Sequence, residues 1–321
     1  MAIADLSPDA LLDAARTGDR GALARLLTVV EAGGTGAQEV ARLAHPLGGA
    51  AHTVGITGAP GAGKSTLTGA LVACWRESDE RVAVLAIDPS SPFTGGAILG
   101  DRVRMGAHAL DDGVFIRSMA TRGHLGGLAL AAPEAVRLLD AVGYPWVVIE
   151  TVGVGQVEVE VVGTADTVVV VVNPGWGDSV QANKAGLTEI ADIFVVNKAD
   201  RPGAAEAVHD LELMLDLSVS ASGAGDWRPP VLTTVGTTGE GVPALADAIA
   251  AHRQHLVESG GLEVRRRSRL DDELRRILAE RLRQRADELG SGGRFEAART
   301  AVLDRALDPW TAVDELLGGA D

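Results

Sequence analysis

The chain has 321 residues, 46% of them hydrophobic, and a net charge of −15, enough for one large core with appendages, since single cores stop growing near roughly 250 to 300 residues. The acidic balance excludes sequence-independent nucleic-acid binding, which depends on Lys and Arg neutralising phosphates, and leaves a protein or a small ligand as the expected partner. The single cysteine, Cys74, excludes an intrachain disulfide; Met1 to Ala10 has no signal-peptide character, and the apolar run Val168 to Val172 is far short of the roughly 20 residues that span a bilayer, so a cytoplasmic protein without membrane contact is expected.

In chain order, Pro8 to Gly33 reads as two short helices, with Leu11, Leu12 and Ala15 in one and Leu23, Leu26, Leu27 and Val30 in the other at helical spacing. Short β-branched runs follow at Thr53 to Thr57, Val82 to Ile87, Val114 to Arg117, Trp146 to Glu150, Thr167 to Val172, Ile193 to Val196 and Val231 to Thr234. Several are apolar on both faces and helical patterns separate most of them, which predicts an α/β fold with a mainly parallel sheet covered by helices on both sides. After Gly260 and Gly261 the composition shifts to Arg, Leu and Glu. Leu262 to Leu289 reads as one long helix, Gly290 to Gly293 breaks it, and Arg294 to Leu317 adds one or two more. The expected division is a helical extension at 1–47, a nucleotide-binding domain at 48–258 and a helical arm at 259–321. The run Arg265 to Arg267 reads as a solvated helix face.

Open α/β sheets bind ligands at the carboxyl ends of their strands, and the motifs of this chain fall there. Gly58, Ala59, Pro60, Gly61, Ala62, Gly63, Lys64 and Ser65 fit the pattern G-x-x-x-x-G-K-[ST], between a strand ending at Thr57 and a helix beginning near Lys64. The glycines let backbone N–H groups turn toward phosphates, and a helix N-terminus adds a favourable dipole. Lys64 is expected on the β- and γ-phosphates, Ser65 on Mg²⁺, and Thr66 among the residues that bind the nucleotide. Only three lysines occur among 29 basic Lys and Arg residues, Lys64, Lys184 and Lys198. Where a chain so rich in arginine keeps lysine, a compact ammonium on a flexible stem is required.

Carboxylates for Mg²⁺ have to come from neighbouring strand ends. Asp88 ends the second strand, Asp101 follows a Gly-rich loop, and Glu150 opens Glu150-Thr-Val-Gly153, a D-x-x-G pattern lengthened by one methylene. Asn197, Lys198 and Asp200 close the strand Ile193 to Val196 as N-K-x-D. An aspartate there accepts from guanine N1–H and the exocyclic amine, which adenine does not offer, so GTP is the expected nucleotide. Val235 and Gly236 stand where a backbone N–H would meet guanine O6. Val154, directly after Gly153, is not the water-orienting glutamine of many GTPases. A slow intrinsic rate is expected, with Gln156 or a partner supplying the missing group.

The segments Asp88 to Met105, Met119 to Gly127, Glu150 to Gln156 and Pro174 to Gly186, in that order, resemble the MeaB/ArgK family of G-proteins that chaperone adenosylcobalamin-dependent methylmalonyl-CoA mutase. The resemblance covers nearly the whole chain. It implies a P-loop G domain and a C-terminal helical arm that makes a homodimer. It further implies that Lys64, Ser65, Asp88, Asp101 and Glu150 serve the phosphates and Mg²⁺, and that Asp178, Gln181 and Lys184 form a switch coupling the mutase, or a related acyl-CoA mutase, to hydrolysis. GTP or GDP and Mg²⁺ are the implied ligands, with no tightly bound organic cofactor. The family gates cofactor loading and protects its client. Two other readings are a P-loop kinase linked to amino-acid transport and a metallochaperone GTPase for another metalloenzyme. The second needs clustered ligands, whereas the seven histidines are scattered in sequence; His124, in a Gly-rich loop, is the one of interest.

Overall fold

The computed structural model describes residues 6–88, 108, 110–120, 125–151, 163–175, 190–219 and 227–318. Seven strands form one sheet: β1 (His52–Gly58), β2 (Val82–Asp88), β3 (Val114–Ala120), β4 (Trp146–Thr151), β5 (Thr167–Val172), β6 (Ile193–Asn197) and β7 (Val231–Thr234). They lie in the order β3-β2-β4-β1-β5-β6-β7, and every pair is parallel. All seven sequence-predicted strands are present.

Helices account for both covered faces. These are α1 (Pro8–Arg16), α2 (Arg20–Ala32), α3 (Gly34–Ala44), α4 (Lys64–Glu77), α5 (Leu125–Val142), α6 (Ala204–Val219) and α7 (Val242–Glu258). Strand side chains alternate between faces, and three clusters record it. Ala83, Leu85, Ile87, Val147 and Ile149 bury against α1, α2, α3 and α5. Val54, Ile56, Val148, Val169 and Val171 bury against α4 and α7. Val168, Val170 and Val172 turn to Leu211 and Leu215 of α6. The unbroken valine run of β5 thus serves two layers, which is why its sequence shows no period of two.

The chain divides into two compact units, Met1–Arg266 and Arg267–Asp321. A long helix, α8 (Gly261–Leu289), crosses the boundary; α9 (Gly293–Leu303) and α10 (Pro309–Gly318) follow. Within the second unit α9 and α10 pack together, and Arg294 donates to the carbonyl of Glu315 at 3.2 Å. The predicted helical stretches correspond to these elements, with the break at 290–292. The third N-terminal helix, α3, was not predicted: its glycines at 34 and 36 mask a pattern in which only Ala37, Val40 and Ala44 are buried. No helix among the described residues is long and apolar enough to cross a membrane.

Candidate functional site

The crevice of an open sheet lies where strand connections diverge. Here they diverge at β1, whose next partner in sequence, β2, lies beyond β4 on one side, while β5 lies on the other. β1 leads through Gly58 to Gly63 into α4, so the phosphate-loop pattern sits in that crevice. Two glycines are required by close approach. Gly58 has φ of 134°, and a Cβ there would lie 1.9 Å from the carbonyl oxygen of Val171. Gly63, at φ of 91°, would place a Cβ 2.5 Å from Asn197 Nδ2. The first N–H groups of α4 lack intrahelical acceptors and point into the loop, as at any helix N-terminus.

Lys64 is the first residue of α4 and is buried; its Nζ donates to the carbonyls of Gly58 at 2.7 Å and Ala59 at 3.2 Å. The next side chain, Ser65, donates to Glu150 Oε1 at 2.5 Å, with both residues buried. Register explains the meeting: Ile56 pairs with Glu150 across β1 and β4, so the carboxylate emerges on the α4 face beside the loop. On the opposite face, one residue on, Thr151 donates to Thr57 Oγ1 at 3.2 Å. Ser65 and Glu150 are hard oxygen donors converging at the loop, the donor chemistry that Mg²⁺ takes. Asp88, last in β2, follows the pair Ile87 and Thr151 and so reaches the same carboxyl edge.

Asn197 ends β6 fully inside the protein. Its Nδ2 donates to the carbonyl of Ala62 at 2.8 Å, and its Oδ1 accepts from the N–H of Gly236 at 3.0 Å and from Thr234 Oγ1 at 3.1 Å. The amide therefore ties the phosphate loop to the turn after β7, a bracing role that sequence reasoning missed. Lys198 has a left-handed φ of 60°, and its Nζ donates to Gly61 O at 2.6 Å. Asp200 is exposed. Val235 is buried, its N–H bonded to Glu240 O at 2.9 Å. Asn197→Ala removes a brace shared by two loops and strands the partners it leaves. We expect a loss of about 2 kcal/mol in urea unfolding and weaker binding of every nucleotide.

The residues Asp101, Gln156, Asp178, Gln181, Lys184 and His124 lie outside the described residues. The reading of Arg265 to Arg267 as a solvated face is corrected for two of the three: Arg265 makes a bidentate ion pair with Asp192, and Arg266 pairs with Asp166 at 2.7 Å, while Arg267 is exposed. These carboxylates are buried ahead of β5 and β6, and a buried carboxylate requires such a partner.

The family profile described as methylmalonyl-CoA mutase-associated GTPase MeaB matches residues 23–290. A Pyrococcus horikoshii protein named as a GTPase is 50% identical over 309 residues, covering 96% of this chain and 97% of that protein. The mouse protein named methylmalonic aciduria type A homolog is 32% identical over 325 residues, covering 94% of this chain and 76% of its own. A solved structure described as LAO/AO transport system kinase superposes with a TM-score of 0.72 at 28% identity, covering 98% of this chain and 97% of that one.

Proposed function

The chain belongs to the family of methylmalonyl-CoA mutase-associated GTPases, and from that premise we propose that it is a Mg²⁺-dependent GTP switch serving an adenosylcobalamin-dependent methylmalonyl-CoA mutase or a related acyl-CoA mutase. In this reading it gates loading of the cofactor and protects the loaded client. The observation that carries the switch chemistry is the buried contact of Ser65 with Glu150 beside Lys64. The client is supported by the family's description.

Phosphoryl transfer needs positioning and charge stabilisation more than covalent help from the protein. Lys64 brings an ammonium to the β- and γ-phosphates by leaving the carbonyls of Gly58 and Ala59. Ser65 and Glu150, with Asp88 and Asp101, would hold Mg²⁺, which would supply positive charge to offset that developing on the transferred phosphoryl group. Asn197 keeps the loop in register with the turn at Val235 and Gly236. Asp200 accepts from guanine. Val154 cannot orient a water, so the isolated protein turns over slowly until Gln156 or the client completes the site. Asp178, Gln181 and Lys184 carry the signal between client and nucleotide. Leu270, Leu274, Ile277, Leu278 and Leu282 stand exposed at helical spacing along α8, a stripe suited to a homodimer contact.

GTP turnover by the purified protein, with and without mutase loaded with adenosylcobalamin, tests this reading. A slow rate that rises severalfold with the client supports it; no change and no complex would remove the mutase from the proposal. The description of the solved relative as a kinase favours a second reading. Label from γ-labelled GTP appearing on a protein, in place of free phosphate, would establish that one.

A further inference from the structure

At the sheet edge opposite the phosphate loop, the amino ends of β1, β5 and β6 meet α7 and the first residues of α8. His52 and His252 are fully buried. Thr167 Oγ1 stands between them, 2.7 Å from His52 Nε2 and 2.8 Å from His252 Nδ1. On the far sides, His252 Nε2 faces Asp192 Oδ1 at 3.3 Å, and His52 Nδ1 faces Asp166 Oδ2 at 3.7 Å. Arg265 of α8 holds Asp192. Its neighbour Arg266 holds Asp166 and also donates to the carbonyls of Gly49 and Ala51 at 2.8 and 2.7 Å. Trp146 of β4 packs edge-on against His52, with Arg253 of α7 over its ring, and Trp227 lies against His252.

A hydroxyl has one proton, so Thr167 donates to one imidazole and accepts from the other. The shorter carboxylate contact sets the direction. His252 carries its proton on Nε2, toward Asp192, and accepts from Thr167 on Nδ1. His52 then donates through Nε2 to Thr167, and its Nδ1 is the basic atom of the cluster; neither it nor His252 Nε2 completes a hydrogen bond, and the closer approach of His252 to its carboxylate, 3.3 against 3.7 Å, is what distinguishes them. Each aspartate is already balanced by an arginine and Arg253 adds a further cation, so an imidazolium here is an uncompensated buried charge.

We infer that His52 is the acid-sensitive element of a latch: a proton taken up from solvent at Nδ1 sets a cation against Asp166, in competition with Arg266, and loosens residues 261–266 from the amino edge of the sheet. Burial pushes the His52 imidazole down to about 4; Asp166 opposes this, while Arg253, His252 and Arg266 reinforce it. A folded-state value below the ordinary 6.5 means that the latch contributes fully above about pH 6.5 and is lost as the pH falls toward 4.

The test combines histidine-ring nitrogen NMR with amide exchange on the full chain. His52 is expected to be neutral at pH 6.5 with its proton on Nε2. The opening constant for residues 261–266, corrected for intrinsic exchange, is expected to rise about 20-fold between pH 7 and pH 5. His52→Gln keeps a donor for Thr167 but cannot titrate, and should respond less than about threefold over the same span. A cationic His52 at pH 6.5, a pH-independent opening in the parent, or an undiminished response in His52→Gln would each overturn the latch. Should His52→Gln fail to fold, Arg266→Gln removes the competitor for Asp166 and is expected to raise the His52 titration; an unchanged titration overturns the proposal.

Discussion

Lys64→Ala is expected to lower GTP turnover by about 10³-fold while leaving the fold intact. The ammonium at this position sits on the first turn of α4, inside the loop it serves, and its acceptors are the carbonyls of Gly58 and Ala59. Phosphate oxygens are stronger acceptors for an ammonium than these carbonyls, and on them the ammonium opposes charge that grows in the transition state. Removing it takes a donor from the carbonyls of Gly58 and Ala59, two neutral acceptors beside the loop, and the unfolding midpoint should shift little. Lys64→Arg should be nearly as damaging. The compact ammonium reaches both carbonyls as a single point, a placement that a planar fork with spread donors does not reproduce. Single-turnover hydrolysis, with nucleotide affinity measured separately, checks both variants. Retention of parental turnover within threefold in Lys64→Ala would remove the lysine from the chemistry.

The parts of this site that are local in sequence were legible there. The strand, glycine turn and helix start that carry the phosphate-loop pattern coincide within residues 52–65 and are readable there, and an acid at the end of a buried strand requires a partner, which Glu150 finds in Ser65. The parts that were not legible depend on pairs distant in sequence. Asn197 meets Ala62 across 135 positions, and nothing in N-K-x-D says that its asparagine faces inward. Arg265 and Arg266 looked solvated because their partners, Asp192 and Asp166, lie 73 and 100 positions upstream. A signal was present. Ala165-Asp166 and Ala191-Asp192 each place an aspartate directly before an apolar strand, where a carboxylate is buried and demands a cation. Likewise the histidines looked scattered, yet parallel strands bring His52 and Thr167 side by side, with His252 packed on them from α7.

Asp200→Asn is expected to weaken GTP binding by about 100-fold and to improve binding of xanthosine triphosphate in return. The turn that presents this side chain is built at a cost: Lys198 takes a left-handed backbone that non-glycine residues avoid. It is held there by Ala199 N–H on Thr234 O at 3.0 Å, by Arg201 N–H on Lys198 O at 3.0 Å, and by the Lys198 ammonium on Gly61 O. Such a scaffold fixes the direction of Asp200 while leaving it exposed for a ligand. Two hydrogen bonds to a carboxylate, each worth about 1.5 kcal/mol or more, give the 100-fold figure. In the asparagine variant an amide N–H₂ replaces an acceptor and faces the guanine amine, donor against donor. Xanthine carries a carbonyl at that position and restores the pairing. The substitution leaves the Asn197 brace untouched, so unfolding should be unchanged, in contrast to Asn197→Ala, which weakens the fold and every nucleotide together. Equilibrium binding of labelled GTP and xanthosine triphosphate separates the two effects. Unaltered GTP affinity with no gain for the xanthine nucleotide would show that base recognition lies elsewhere on the crevice wall.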